Sequence, residues 1–275
     1  MGCNTKTIDI QGHRGCRGLM PENSLPAFEK AIELGVTTLE LDIVISKDLK
    51  VVVSHEPFIN SEICVLDDTL QANTFNSRRY NMFQMTYEAI KAFDCGSKKN
   101  LRFLEQKKLK THKPLLSDVF QLVTAKNSNV KFNIELKTEQ EYAYGIYTPH
   151  PKAYVNIVLA EIIRCNMLHR VNLQSFDSAV LEEIKVQAPK MEVALLVDEN
   201  ETIKSRLEAL SFTPEIISPY YKLLTPTKVK NYKALGFKVI PWTVNTKPDM
   251  LKMLDFKVDG IITDYPDRLL QLLLK

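Results

Sequence analysis

The sequence predicts an α/β fold, a single distorted (β/α)8 TIM barrel over residues 1–275 with an inserted segment after its third strand. Three observations predict it. Short β-branched runs alternate with longer amphipathic ones from end to end, the rhythm of repeated βα units around a parallel sheet. The length of 275 residues suits one barrel around one core. A composition of 45% hydrophobic and 25% charged residues is that of a folded chain with a sizeable core, and it argues against extensive disorder.

Strands are expected near 8–12, 37–44, 51–55, 131–136, 170–174, 192–196, 215–218, 237–242 and 258–262. Helices are expected at 24–35, 117–127, 152–165, 177–187, 200–210, 225–235, 247–254 and 266–274. For the first helix, Ser24 can cap the start, and Gly35 suits the left-handed residue that ends it. Asp177, Asp249 and Pro266 mark later helix starts by the same logic. Between Ile45 and Val51 there is no room for a crossover helix, so these strands are expected to form a hairpin. A two-residue turn at Lys47-Asp48 would set His55 opposite Glu40 on one face of the ribbon. The second break in the rhythm is residues 56–114, polar and poor in strand periodicity, with one helix-like piece at Tyr87–Phe93. An insertion of this length is expected to be a lid or subdomain over one mouth of the barrel.

A net charge of +3, with Lys and Arg scattered among Asp and Glu, shows no basic tract of the kind that binds nucleic acid or an anionic membrane. Any phosphate recognition must then be local. No apolar run reaches the ~20 residues that span a bilayer, and Leu269–Leu274 reads as a core helix, so no integral membrane segment is expected. Cys3, Cys16, Cys64, Cys95 and Cys165 are odd in number and widely spaced, without a C-x-x-C pair. They are read as free thiols with no common role, at least one of them unpaired within the monomer. No signal peptide is expected ahead of the first strand in the sequence as given. Met1-Gly2-Cys3 lacks the Ser or Thr that myristoylation wants at position 6, where Lys6 stands. The compartment stays open: periplasmic or cell-envelope if Cys3 begins a lipoprotein whose leader was removed, and cytoplasmic otherwise.

Barrels of this class carry their chemistry at the C-terminal ends of the strands. Strand one ends in Gly12-His13-Arg14-Gly15, strand two carries Glu40 and Asp42, strand three ends at His55, and strand four carries Glu135 and Lys137. Buried parallel strands favour uninterrupted apolar runs, so Glu40, Asp42 and Glu135 occupy costly positions. Three converging carboxylates repel one another unless a cation sits among them, and an all-oxygen set suits Mg²⁺ or Ca²⁺. The period-2 rule turns Glu40 and Asp42 to the same face, where both can reach one ion. His13 and His55 beside such a cluster suit a general acid and a general base near neutral pH. Arg14 and Lys137 add positive charge for phosphate oxygens. Trp242 either lines a pocket at this mouth or packs as a barrel tryptophan. His112, His150 and His169 fall in loop or helix-end contexts and carry no expectation of function.

Gly12-His13-Arg14-Gly15, Pro21-Glu22-Asn23-Ser24, Ala27-Phe28, Gly35, Glu40-Leu41-Asp42 and His55 together resemble the signature of the glycerophosphodiester phosphodiesterase family. Asn133–Lys137, Gln174-Ser175-Phe176, Trp242-Thr243 with Asn245, and Asp259–Pro266 resemble its later blocks, so the likeness runs over almost the whole chain. The resemblance implies His13 and His55 as acid and base, and Glu40, Asp42 and Glu135 as ligands of one divalent cation, Mg²⁺ or Ca²⁺. It implies phosphate contacts from Arg14 and Lys137, an insertion after the second histidine, and hydrolysis of a small glycerophosphodiester to sn-glycerol 3-phosphate and an alcohol. One departure is Glu56, where the family usually has Asp after the second histidine. Two other readings stand beside this one: a phospholipase-type phosphodiesterase on the same barrel, and a catalytically silent barrel kept as a binding protein.

Overall fold

The computed structural model describes residues 8–66, 78–138 and 144–274. Its strands are β1 (Asp9–Gly12), β2 (Thr38–Ile45), β3 (Val51–Val53), β4 (Lys131–Leu136), β5 (Val171–Ser175), β6 (Val193–Val197), β7 (Ile216–Pro219), β8 (Lys238–Val239) and β9 (Gly260–Thr263). Eight of them are parallel neighbours in the order β8-β7-β6-β5-β4-β2-β1-β9, and β3 lies antiparallel on β2. Backbone bonds from Asp259 N to Val239 O (2.9 Å) and from Ile262 N to Pro241 O (3.0 Å) join the two ends of that order and close the ring. Such closure removes both sheet edges. β2 and β6 are buried along their whole lengths, which is why they read as strands despite lacking simple alternation. The expected strand at 237–242 holds only two ladder residues, because Pro241 has no N–H to donate. The chain still follows the sheet, with Ile240 N bonded to Ile217 O and Trp242 N to Pro219 O.

Helices cover the sheet, and their ends follow local chemistry. In helix Leu25–Leu34, the Ser24 hydroxyl accepts from Ala27 N, Pro26 sits in the first turn, and Gly35 turns left-handed at φ 94° to donate to Ala31 and Ile32. Phe28, Phe120, Phe132 and Tyr154 fill the layer between helices and sheet, with Phe120 edge-on to Phe132 at 4.8 Å. Burial of aromatics of this size supplies much of the driving force for closing the barrel. Among the described residues, no helix is long and apolar enough to cross a membrane.

The barrel interior is divided. On β1, β2, β4 and β5 it is a chain of amides. Asn133 Nδ2 donates to Gln11 Oε1 (2.8 Å) and Gln174 Oε1 (3.0 Å), and Gln174 Nε2 donates to Glu40 Oε1 (3.0 Å). On β6 to β9 it is apolar, built from Ala194, Ile216, Ile240 and Ile262 with Trp242 above them.

Two sequence expectations need correction. The hairpin pairs Ile43 with Val53 and Ile45 with Val51, one residue out of the expected register. The loop is three residues long, because Ser46 N bonds Lys50 O (3.0 Å), Ser46 Oγ bonds Asp48 Oδ1 (2.7 Å), and Leu49 adopts a left-handed φ of 57°. His55 therefore does not face Glu40 across the ladder; it follows the end of β3. The cysteines are not all free either. Cys64 and Cys95 form a disulfide, while Cys16 and Cys165 are free thiols. Thirty-one residues of sequence separate the pair, but both pack into one small core with Ile59, Met82, Tyr87 and Ile90 against Val44 and Val52 of the hairpin. That core lies within the described part of the insertion. The lipidation reading of Met1-Gly2-Cys3 lies outside the described residues.

Candidate active site

The turn after β1 is what assembles the site. Arg14 and Gly15 are both left-handed, at φ 49° and 85°, and a Cβ on Gly12 would sit 2.1 Å from Gly15 O. The tight fold-back lets Arg14 N donate to Glu40 Oε2 at 2.9 Å. Asn23, also left-handed, donates from Nδ2 to Asp42 Oδ2 at 2.8 Å.

Beneath this turn lie Glu40, Asp42 and Glu135, all buried, with Asp42 beside Glu135 across the β2–β4 ladder. One carboxylate oxygen from each falls within 4.8 Å of the others. Burial first, and then the charges of Asp42 and Glu135, push the Glu40 carboxyl well above the usual range. Burial lifts Glu135 to about 8 despite Lys137, whose Nζ lies 2.8 Å from Glu135 Oε1. Asp42 differs: burial would raise it, but Arg14, His55 and Lys137 outweigh that and hold it ionised. Its Oδ1 is buried without a protein hydrogen-bond partner. Crowded oxygens, one of them unsatisfied, in a site that cannot ionise fully unaided, are the donor set a hard divalent cation requires. The residues present fit such an ion.

His13 and His55 stand at this cluster in matched fashion. His13 Nδ1 lies 2.6 Å from Asp264 Oδ1, and its Nε2 is 3.9 Å from Glu40 Oε2. His55 Nδ1 lies 2.9 Å from Glu56 Oε1, and its Nε2 is 3.3 Å from Lys137 Nζ. A carboxylate behind Nδ1 keeps a proton there and leaves Nε2 for chemistry. Glu56, the departure from the usual Asp, thus reaches the ring. Burial and Arg17 lower His13 to about 4 against the pull of Asp264. Burial, Arg14 and Lys137 lower His55 as well.

Arg14 is largely committed to acids, with Nη1 2.5 Å from Glu22 Oε1 and Nε 3.4 Å from Asp42 Oδ2. Trp242 donates its indole N–H to Ser218 O at 2.9 Å and meets Phe176 edge-on at 5.5 Å. All eight expected positions thus come to one end of the barrel. A cavity of about 230 Å³ opens there, with His13, Arg14, Glu40, His55 and Glu135 on one wall and Phe176, Leu196, Trp242 and Ile262 on the other.

Asp264 and Arg17 escaped the reading of strand ends. Arg17 clasps Asp264 through Nε (2.9 Å) and Nη2 (3.1 Å), and Asn245 Nδ2 adds a third bond at 2.7 Å. Asp264 directly follows β9, so the strand-end rule applied to the last strand points to it. Arg17 carries no such signal.

Comparison with known proteins finds relatives over almost the whole chain. Residues 13–268 match the model of the glycerophosphoryl diester phosphodiesterase family. A glycerophosphodiester phosphodiesterase of Caldanaerobacter subterraneus subsp. tengcongensis is 34% identical over 98% of this chain and 99% of its own length. A structure from Silicibacter pomeroyi DSS-3, provisionally named a glycerophosphoryl diester phosphodiesterase, superposes with a TM-score of 0.86 at 29% identity, covering 98% of this chain and 94% of that one. An Oleispira antarctica phosphodiesterase solved in complex with sn-glycerol-3-phosphate shares the fold, with a TM-score of 0.76 at 20% identity and 97% of each chain covered. This chain belongs to the glycerophosphoryl diester phosphodiesterase family.

Proposed function

We propose that the protein hydrolyses glycerophosphodiesters to sn-glycerol 3-phosphate and an alcohol, on one barrel domain spanning residues 1–275 with 56–114 inserted in it. The observation that carries this reading is the pair of histidines, each backed by a carboxylate at Nδ1, at the rim of a buried three-carboxylate cluster. Glu40, Asp42 and Glu135 hold one divalent cation, Mg²⁺ or Ca²⁺, which when bound supplies Lewis-acid stabilisation of charge on the phosphoryl oxygens. The rest falls to the chain. One histidine, neutral, accepts the proton of the attacking water or substrate hydroxyl at Nε2, and the other, entering the cycle as the imidazolium, donates its Nε2 proton to the departing alcohol oxygen. Asp264 and Glu56 hold the rings in orientation and stabilise the imidazolium form of each. Arg14 and Lys137 place positive charge beside the phosphate, where preorganised charge is worth most. Trp242 and Phe176 form a wall for the alcohol portion.

The test is release of glycerol 3-phosphate from glycerophosphocholine, glycerophosphoethanolamine and glycerophosphoinositol, with Mg²⁺ or Ca²⁺ added in turn and with EDTA. Turnover with either ion, abolished by EDTA, is the expected result. No turnover of any of the three under either ion would sink the proposal and leave the silent binding barrel. The apolar wall also favours a second reading, a phosphodiesterase acting on lipid diesters. Lysophosphatidylcholine turned over faster than glycerophosphocholine would select it.

A further inference from the structure

The expectation of evenly scattered charge needs correction, because the net charge of +3 averages out one basic stretch. Residues 98–110 carry Lys98, Lys99, Arg102, Lys107, Lys108 and Lys110 against one acid, Glu105. Arg268 from the last helix already pairs with Glu105, at 2.6 Å. The same stretch turns leucines outward: Leu101 is 78% exposed, Leu104 76% and Leu109 37%. Its inward position is taken by Phe103, buried under the Arg17 guanidinium, which lies 4.6 Å from the ring centroid.

The backbone is also pinned, with Lys107 N bonded to Leu19 O (2.9 Å) and Gln106 Nε2 to Arg17 O (2.7 Å). Leu101 and Leu104 thus project from an anchored loop in which Phe103 already fills the inward place. Several exposed leucines gathered in one short anchored loop mark an interaction site. Nucleic acid would use the cations but gain nothing from aliphatic side chains. An anionic bilayer uses both, because basic residues draw the segment to the surface and leucines enter the headgroup boundary. Arg102 ties the patch to the mouth, since it also lines the cavity that holds His13 and His55.

We propose that residues 98–110 are a membrane-docking surface, which sets Leu101 and Leu104 into an anionic lipid surface held by the surrounding lysines, with the mouth of the barrel beside the headgroups. This inference goes beyond the hydrolytic reading and stands independently of it.

The test is co-sedimentation of the whole chain with phosphatidylcholine vesicles, with and without phosphatidylserine, at low and high salt. Binding is expected only with phosphatidylserine, and it should weaken as salt rises. A Leu101→Ser, Leu104→Ser double variant should bind at least ~10-fold less. A Lys107→Glu, Lys108→Glu double variant should lose at least as much, on the order of fivefold for each cation removed. Both variants should keep the parent's circular dichroism spectrum and its turnover of soluble glycerophosphocholine. Absence of wild-type binding at low salt overturns the proposal. So does a folded variant of either kind that binds like the parent. Absence of glycerophosphocholine turnover by the parent would instead count against the hydrolytic reading and leave the docking result intact.

Discussion

Loading the carboxylate cluster with a divalent ion should expel a proton, and the size of that release follows from the geometry. Oxygens of Glu40, Asp42 and Glu135 lie within 4.8 Å of one another. At that separation, and at an effective dielectric of about 20, each pair of full charges repels by roughly 3.5 kcal/mol, equivalent to about 2.5 pKa units. The metal-free cluster therefore relieves itself by keeping protons. Glu135, pushed up to about 8, is mostly protonated at neutral pH, and Glu40 is raised as well. An unfolded glutamate has a pKa near ~4.3, so between that value and about 8 the folded, metal-free chain holds a proton that the unfolded chain has lost. Its stability falls as pH rises through this window, and an added cation restores it. Binding of the ion at pH 7 should release about one proton or more, and the release should decline toward pH 9. Titration calorimetry with Mg²⁺ and Ca²⁺ in two buffers of different ionisation enthalpy measures this directly. Identical heats in both buffers at pH 7 would refute the account of the cluster, and so would a Glu135→Gln variant that releases as many protons as the parent.

Other perturbations have equally definite outcomes. His13→Ala and His55→Ala should each lower kcat by roughly 10²-fold or more while the fold persists, and near-parental release of glycerol 3-phosphate from either variant would remove its assigned role. Asp264→Asn should cost ~10² or more in kcat by removing the anion that orients His13. It should also move downward whichever limb of the pH profile His13 governs, the acidic limb if His13 is the base and the basic limb if it is the acid, since Asp264 is what raises the ring; a profile with neither limb shifted would show that Asp264 acts only through the fold. Reduction should expose two further alkylatable thiols and loosen the insertion by about 3–4 kcal/mol on the loop-closure model for a span of 31 residues. An unchanged thiol count by mass spectrometry would exclude the Cys64–Cys95 bond.

The barrel was legible because its strands announce themselves as β-branched runs at regular intervals, and buried acids inside such runs stand out. That is how Glu40, Asp42 and Glu135 could be grouped before any coordinates. The hairpin register was not legible. A two-residue and a three-residue loop fit Ile45 to Val51 equally well, and the choice rests on the Ser46 hydroxyl bonding Asp48 and on Leu49 accepting a left-handed backbone. Pairing of Cys64 with Cys95 depends on a small core that brings distant segments together, which spacing does not encode. Arg17 was hidden for a related reason. It matters only because the chain's last strand delivers Asp264 next to its first, a contact created by closing the ring.

The divided interior has a consequence for how this family member can change over time. Asp9 Oδ2 accepts from Gln11 Nε2 at 2.8 Å, Gln11 and Gln174 accept from Asn133, and Gln174 donates to Glu40. Every amide in that file has its orientation dictated by an acid at one end or the other. No member can be exchanged for a hydrocarbon without stranding its neighbours, so drift on this side must proceed by concerted replacement. Ile216, Ile240 and Ile262 on the opposite side are constrained by volume alone and can be traded one at a time. Substitutions should therefore accumulate more slowly on the side of the carboxylates than on the apolar side, as two clocks of different rate within one barrel.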